Sequence, residues 1–172
     1  MSLLTKNIYL CGRYIKFSRY LSQTPWIIDG RKLTEGSLQE EIEDPLIPLF
    51  FPGKPREQIE TSFHAGGRED IDVRMLQGGR PFVLELKSPI HSLKTIKEAD
   101  ILAQADPAKQ AELREQLEQW AANSLPKDAE NPESLRLTKL LELVVNSRTP
   151  SVQVVGLEET TEAYIRGELK QA

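Results

Sequence analysis

GREDIDVRMLQGGRPFVLEL, residues 67–86, is the stretch on which the fold of this chain turns. IDVRML (71–76) alternates, with Ile71, Val73 and Met75 on one side and Asp72 and Arg74 on the other. That period of two is the mark of a half-buried strand. QGGR (77–80) supplies glycines for a tight turn, and PFVLEL (81–86) alternates again through Phe82, Leu84 and Leu86. The pattern predicts a β-hairpin with one buried face.

Upstream of this stretch, NIYLC (7–11) reads as a short strand ended by Gly12. RYIKFSRYLSQT (13–24) places Tyr14, Phe17 and Leu21 at helical spacing, so an amphipathic turn or helix is expected before Thr24-Pro25. Trp26–Ile28 reads as extended, and Asp29-Gly30 as a turn. Ser37 and Glu40 form a capping-box pattern for a short helix over 37–44 that stops at Pro45. PLIPLFF (45–51) is expected to be a core-packed irregular segment or the end of that helix, and residues 52–69 to be rich in loop.

Downstream, residues 98–123 are helical in pattern, with Leu102, Leu113, Leu117 and Trp120 on one stripe and Asp106-Pro107 starting the second part. A second helix is predicted over 134–146, a β-branched strand over 151–157 and a short polar helix in the tail. Strands and helices in this order predict an α+β fold, with a mixed or antiparallel sheet flanked by helices.

The chain has 172 residues and a net charge of -4. Residues 1–33 nevertheless carry six basic side chains against Asp29 alone. A basic segment on an acidic chain points to local phosphate contact, against the plainer reading of a solvated face. No apolar run is long enough for a membrane span, and the opening residues do not form a secretory signal. The lone Cys11 excludes an internal disulfide and a thiolate zinc cage. A reducing compartment, cytoplasmic or nuclear, is expected.

The densest polar constellation is GGREDIDVR (66–74). A carboxylate where a loop enters a strand can be held at a cleft, and Arg68 and Arg74 can keep it ionised as a nucleophile requires. The plainer alternative is a tight turn followed by a strand with surface ion pairs. A second alternative uses Asp72 with Glu85-Leu86-Lys87, the spacing of metal-dependent PD-(D/E)xK nucleases, in which two carboxylates hold Mg²⁺. His64 and His91 stand apart, without metal-site spacing, and read as loop histidines. Ser18 and Ser62 have no evident base partner. Neither phosphate-cradling nor dinucleotide glycine motifs occur, so no nucleotide cofactor is suggested.

Two blocks carry a family resemblance. GRYIKFSRYLSQTPWIIDG (12–30) and GREDIDVRMLQGGRPFVLEL (67–86) resemble the archaeal and eukaryotic tRNA pseudouridine synthases of the Pus-ten type. The matching positions run from Gly12, Arg13 and Tyr14 to Trp26, and from Gly67 to Phe82. The resemblance implies cofactor-free isomerisation of uridine in tRNA, at positions 54 and 55 of the TΨC arm, with no metal. It implies that Asp70 is the catalytic carboxylate, as nucleophile at C1′ or base at C2′, and that Arg68 helps to extrude the target nucleotide. Arg13, Lys16 and Arg19 suit phosphate contact.

The chain also departs from that family's pattern. Its members carry an N-terminal module with paired Cys-x-x-Cys sites and continue through a Lys-x-Tyr-x-Ala block. Here the sequence stops at Lys170-Gln171-Ala172, and Tyr164 lacks that block's context. The resemblance therefore implies a partial catalytic domain. Its first half is 1–90, a helical insert spans 91–150, and 151–172 returns to the sheet. A missing C-terminal segment or a partner chain would complete it. A non-catalytic RNA-binding fragment is the remaining alternative.

Overall fold

In the computed structural model, the described residues are 7–16, 27–28, 31–32, 38–65, 80–128, 130–148 and 152–165. The strands are β1 (Ile8–Lys16), β2 (Ile27–Ile28), β3 (Arg31–Lys32), β4 (Glu60–Ala65), β5 (Arg80–Lys87) and β6 (Val152–Thr160). The α-helices are α1 (Leu38–Glu43), α2 (Ile47–Phe50), α3 (Glu98–Leu102), α4 (Gln110–Asn123), α5 (Pro132–Arg148) and α6 (Glu162–Tyr164). Strands β2 and β3 pair as a separate small ribbon. The other four strands form one antiparallel sheet in the order β4-β5-β1-β6. The fold is α+β, as the sequence predicts. Its succession of strand, helices, two strands, helices and strand, with the first strand between the third and fourth, is the split βαβ plan.

Side chains alternate across the sheet. Ile8, Leu10 and Tyr14 from β1, Phe82, Leu84 and Leu86 from β5, and Val152, Val154 and Leu157 from β6 all enter the core. There they meet Leu38, Ile42 and Phe50 from α1 and α2, and Leu113, Leu117, Leu140 and Val144 from α4 and α5. Each fully buried Leu, Val or Phe contributes roughly 2 kcal/mol. Residues from 1–90, 91–150 and 151–172 thus share one apolar cluster.

The helix starts follow from capping. Asp106 accepts a hydrogen bond from the Ala108 amide at 3.0 Å, and Pro107 fits the first turn, so the expected start at Asp106-Pro107 stands. The region expected to be helical over 98–123 is α3, a 3-10 turn (Pro107–Lys109) and α4. Helix α5 starts two residues earlier than its apolar periodicity suggests. Asn131 accepts the Ser134 amide at 3.1 Å, and Pro132 needs no donor of its own.

Several expectations are corrected. The segment 71–76 lies outside the described residues, but its expected partner, 81–86, already pairs on both sides. β1 occupies one edge of β5 and β4 the other. The partners of 81–86 are β1, about seventy residues earlier, and β4, the strand that precedes the segment 66–79. Residues 13–16, expected to be helical, continue β1 through Gly12. Tyr14 is buried in the sheet, and β6 stays paired across a register shift opposite Gly12. Residues 60–65, expected to be loop, are the outer strand β4. Pro48 stands in the first turn of α2, where a proline is tolerated, so 47–50 is neither irregular nor the end of α1 but a short helix of its own. The strand expected over 151–157 runs on to Thr160.

Candidate functional site

Asp70, Arg68 and Asp72 (within 66–79) and Arg19 (within 17–26) lie outside the described residues. The two strands that flank 66–79 are described. Ala65 ends β4 opposite Phe82, and Arg80 begins β5 opposite Tyr14. Both anchors of the segment that carries Asp70 therefore stand side by side at one end of the sheet. Arg13 belongs to the same end. It pairs with Pro81 on one side and Val155 on the other, and is exposed. By alternation it faces away from the helices. The backbone of Lys16 pairs with Val152, at the last position of β1.

An aromatic trio braces this end from the core side. Phe63 and Phe82 stack with ring centroids 5.4 Å apart, and Tyr14 sits 6.0 Å from each in a tilted arrangement. Tyr14 and Phe82 are completely buried. Three rings from three adjacent strands give the anchors a rigid footing.

The opposite sheet face carries a polar cluster that the sequence pattern missed. His64 lies on β4, not in a loop, with its Nε2 3.1 Å from Glu85 Oε1. Asn7 donates to Glu85 Oε2 at 3.2 Å and accepts the Ser88 amide at 2.9 Å. Burial pushes the Tyr9 hydroxyl above its ordinary range, Asn7 pulls it down, and Glu85 and Glu162 push it up. Glu85 is thus committed to neighbours on β4 and before β1, and nothing here favours the nuclease reading. No group of three or more His, Cys, Asp or Glu suited to a metal occurs among the described residues.

A second missed cluster centres on Glu43, which is buried on α1. Its carboxylate accepts hydrogen bonds from Thr61 at 2.8 Å, from Gln39 at 3.2 Å and from Arg56. Burial pushes the carboxyl above the usual range, while Thr61, Gln39 and Arg56 pull it down. Local periodicity could not find this cluster, because Arg56 and Thr61 reach Glu43 only once the loop after α2 is folded.

A cleft of about 580 Å³ opens between α3, the start of α5 and Glu159. It lies on the helix side near Leu10, which pairs with Glu159, and so at a different end of the sheet from the anchors beside Tyr14. Its walls include Lys94, Glu98 and Arg136. Arg136 is committed to Glu98, through two hydrogen bonds of 3.0 and 3.2 Å, and to Glu118.

The family profile described as "Pus10, C-terminal" matches residues 9–165. The chain belongs to that family. Relatives of the Pus10 family include the tRNA pseudouridine synthase Pus10 of Xenopus laevis, 36% identical over 159 residues, covering 90% of this chain and 29% of the relative. The human tRNA pseudouridine synthase Pus10 is 46% identical over 82 residues, covering 48% of this chain and 14% of its own length. That of Thermofilum pendens is 47% identical over 83 residues, covering 48% of this chain and 17% of its own. The chain thus spans under a third of the length of these relatives. No helix among the described residues is long and apolar enough to cross a membrane.

Proposed function

We propose that this chain is a catalytic portion of a tRNA pseudouridine synthase and isomerises uridine in the TΨC arm of tRNA, at positions 54 and 55. The observation that carries the reading is the family match over 9–165, which spans both sequence blocks and the strands between which Asp70 lies. Asp70 is the catalytic carboxylate and Arg68 assists extrusion of the target nucleotide. Unstacking a uridine from a folded RNA loop costs a few kcal/mol before a carboxylate can reach its sugar. Arg13, Lys16 and Arg19 hold phosphates. The chemistry needs no cofactor: the glycosidic bond breaks, the uracil turns, and C5 is joined to C1′. A further segment or partner chain that completes the catalytic sheet belongs to the same reading, as does a cytoplasmic or nuclear setting.

The anchors support this reading. Neighbouring antiparallel strands, braced by Tyr14, Phe63 and Phe82, hold both ends of the segment that carries Asp70 at a fixed separation. The test is conversion of transcript tRNA with chelator present. Pseudouridine should form with the wild-type chain and be lost in Asp70→Ala. Conversion by the Asp70→Ala protein would remove that carboxylate from the reaction.

A further inference from the structure

The outer margin of β6 ought to offer bare backbone groups, because β6 has a strand neighbour, β1, on one side only among the described residues. Instead, two side chains of α5 occupy it. Asn146 accepts the Val154 amide at 2.7 Å and donates to the Val154 carbonyl at 2.9 Å. One side-chain amide thus pairs with both main-chain groups of one residue, as a neighbouring strand would. Glu142, one turn earlier on the same helix face, accepts the Leu157 amide at 3.0 Å. Glu142 is 5% exposed, and its second oxygen accepts from Lys139 at 2.7 Å. Between these contacts Gly156 has φ of +69°, where the register with β1 shifts.

We infer that α5 is a strap that closes the β6 margin: Asn146 and Glu142 take the Val154 N–H and C=O and the Leu157 N–H, groups that a fifth strand would use, and so prevent β6 from pairing with β6 of a second copy of this chain. The character of β6 names the second copy as the occupant excluded. The strand is nine residues long, carries Val152, Val154 and Val155, and exposes Val155 at 40%. Exposed margins of this composition template edge-to-edge pairing. A two-fold centred on Val154 sets Val152 against Gly156 and keeps the Glu158 and Glu159 carboxylates of the two copies apart, so the charges of the strand do not oppose the pairing. The obstacle is α5.

Amide hydrogen exchange and light scattering on the full chain test this. The Val154 and Leu157 amides should exchange slowly in the wild type. Asn146→Ala should speed exchange at Val154 about tenfold and give a concentration-dependent dimer, which adding Val155→Lys should return to monomer. Should Asn146→Ala fail to fold, the milder Asn146→Ser takes the same two measurements. Rapid exchange at Val154 and Leu157 in the wild type would overturn the inference. So would a wild-type dimer split by Val155→Lys, or a folded Asn146 variant that keeps Val154 protected and stays monomeric.

Discussion

Thr61 donates its hydroxyl to Glu43 at 2.8 Å, and through that bond the first helix is fastened to the outer strand of the sheet. Gln39 bridges the same two residues, at 3.2 Å to Glu43 and 3.1 Å to Thr61. The carboxylate is buried, so its charge is tolerated only because donors surround it. Removing it as Glu43→Ala leaves Thr61 and Gln39 short of an acceptor and should cost roughly 1–3 kcal/mol in urea unfolding.

The same group sets a pH dependence. Burial raises the folded-state value above the ordinary 4.5. Between 4.5 and that raised value the native state holds more protons than the unfolded chain. Stability from this group is therefore present at lower pH and lost as pH rises through the folded value. Glu43→Gln should flatten that part of the profile. Parallel pH–stability curves for the two proteins would show that Glu43 does not contribute.

Gly12 lies where the register between β1 and β6 shifts. A Cβ there would sit 3.2 Å from the Val155 carbonyl oxygen and 3.4 Å from the Leu157 Cα, both backbone atoms that cannot swing aside. Gly12→Ala should destabilise by about 1–3 kcal/mol through overpacking, with the β1–β6 amides losing exchange protection first. An unchanged melting temperature would contradict this.

Phe82 should be among the costliest core positions. It is completely buried and stacks on Phe63 at 5.4 Å. Phe82→Ala should lose about 3–5 kcal/mol, whereas the exposed Val155→Thr should change stability by less than about 0.5 kcal/mol. Chemical unfolding of the two variants side by side reads the difference.

Phosphate contact by the basic segment has its own signature. Substituting Arg13, Lys16 and Arg19 together by Ala should weaken tRNA binding and reduce the slope of log affinity against log salt by about 2–3. Asp70→Ala should leave that slope unchanged. Equal slopes for the triple variant and the wild type would place the phosphates elsewhere.

Much of the fold was legible residue by residue. Alternation through Phe82, Leu84 and Leu86 marked β5, the Asp106-Pro107 pair marked a helix start, and the apolar run after Ser134 marked α5. These signals are local: each depends on the period of one element or the chemistry of one cap. The misreadings share the opposite cause. Residues 71–76 looked like the partner of 81–86 because they are near in sequence, yet β1 and β4 hold both edges of β5. Tyr14 fell on a helical stripe with Phe17 and Leu21, but the strands on either side of β1 hold it extended. His64 looked like a loop residue because prolines and glycines flank β4, a strand of only six residues.

The sequence by itself determined the apolar alternation of β5, the helix start at Asp106-Pro107, and which two blocks relate the chain to its family, because composition, period and motif are properties of contiguous residues. Only the tertiary structure decided the strand order β4-β5-β1-β6, the gathering of Arg56 and Thr61 on Glu43, and the closing of β6 by Asn146 and Glu142. Each of these joins residues on different elements, and such contacts are chosen by the collective packing of the whole core, which no single stretch encodes.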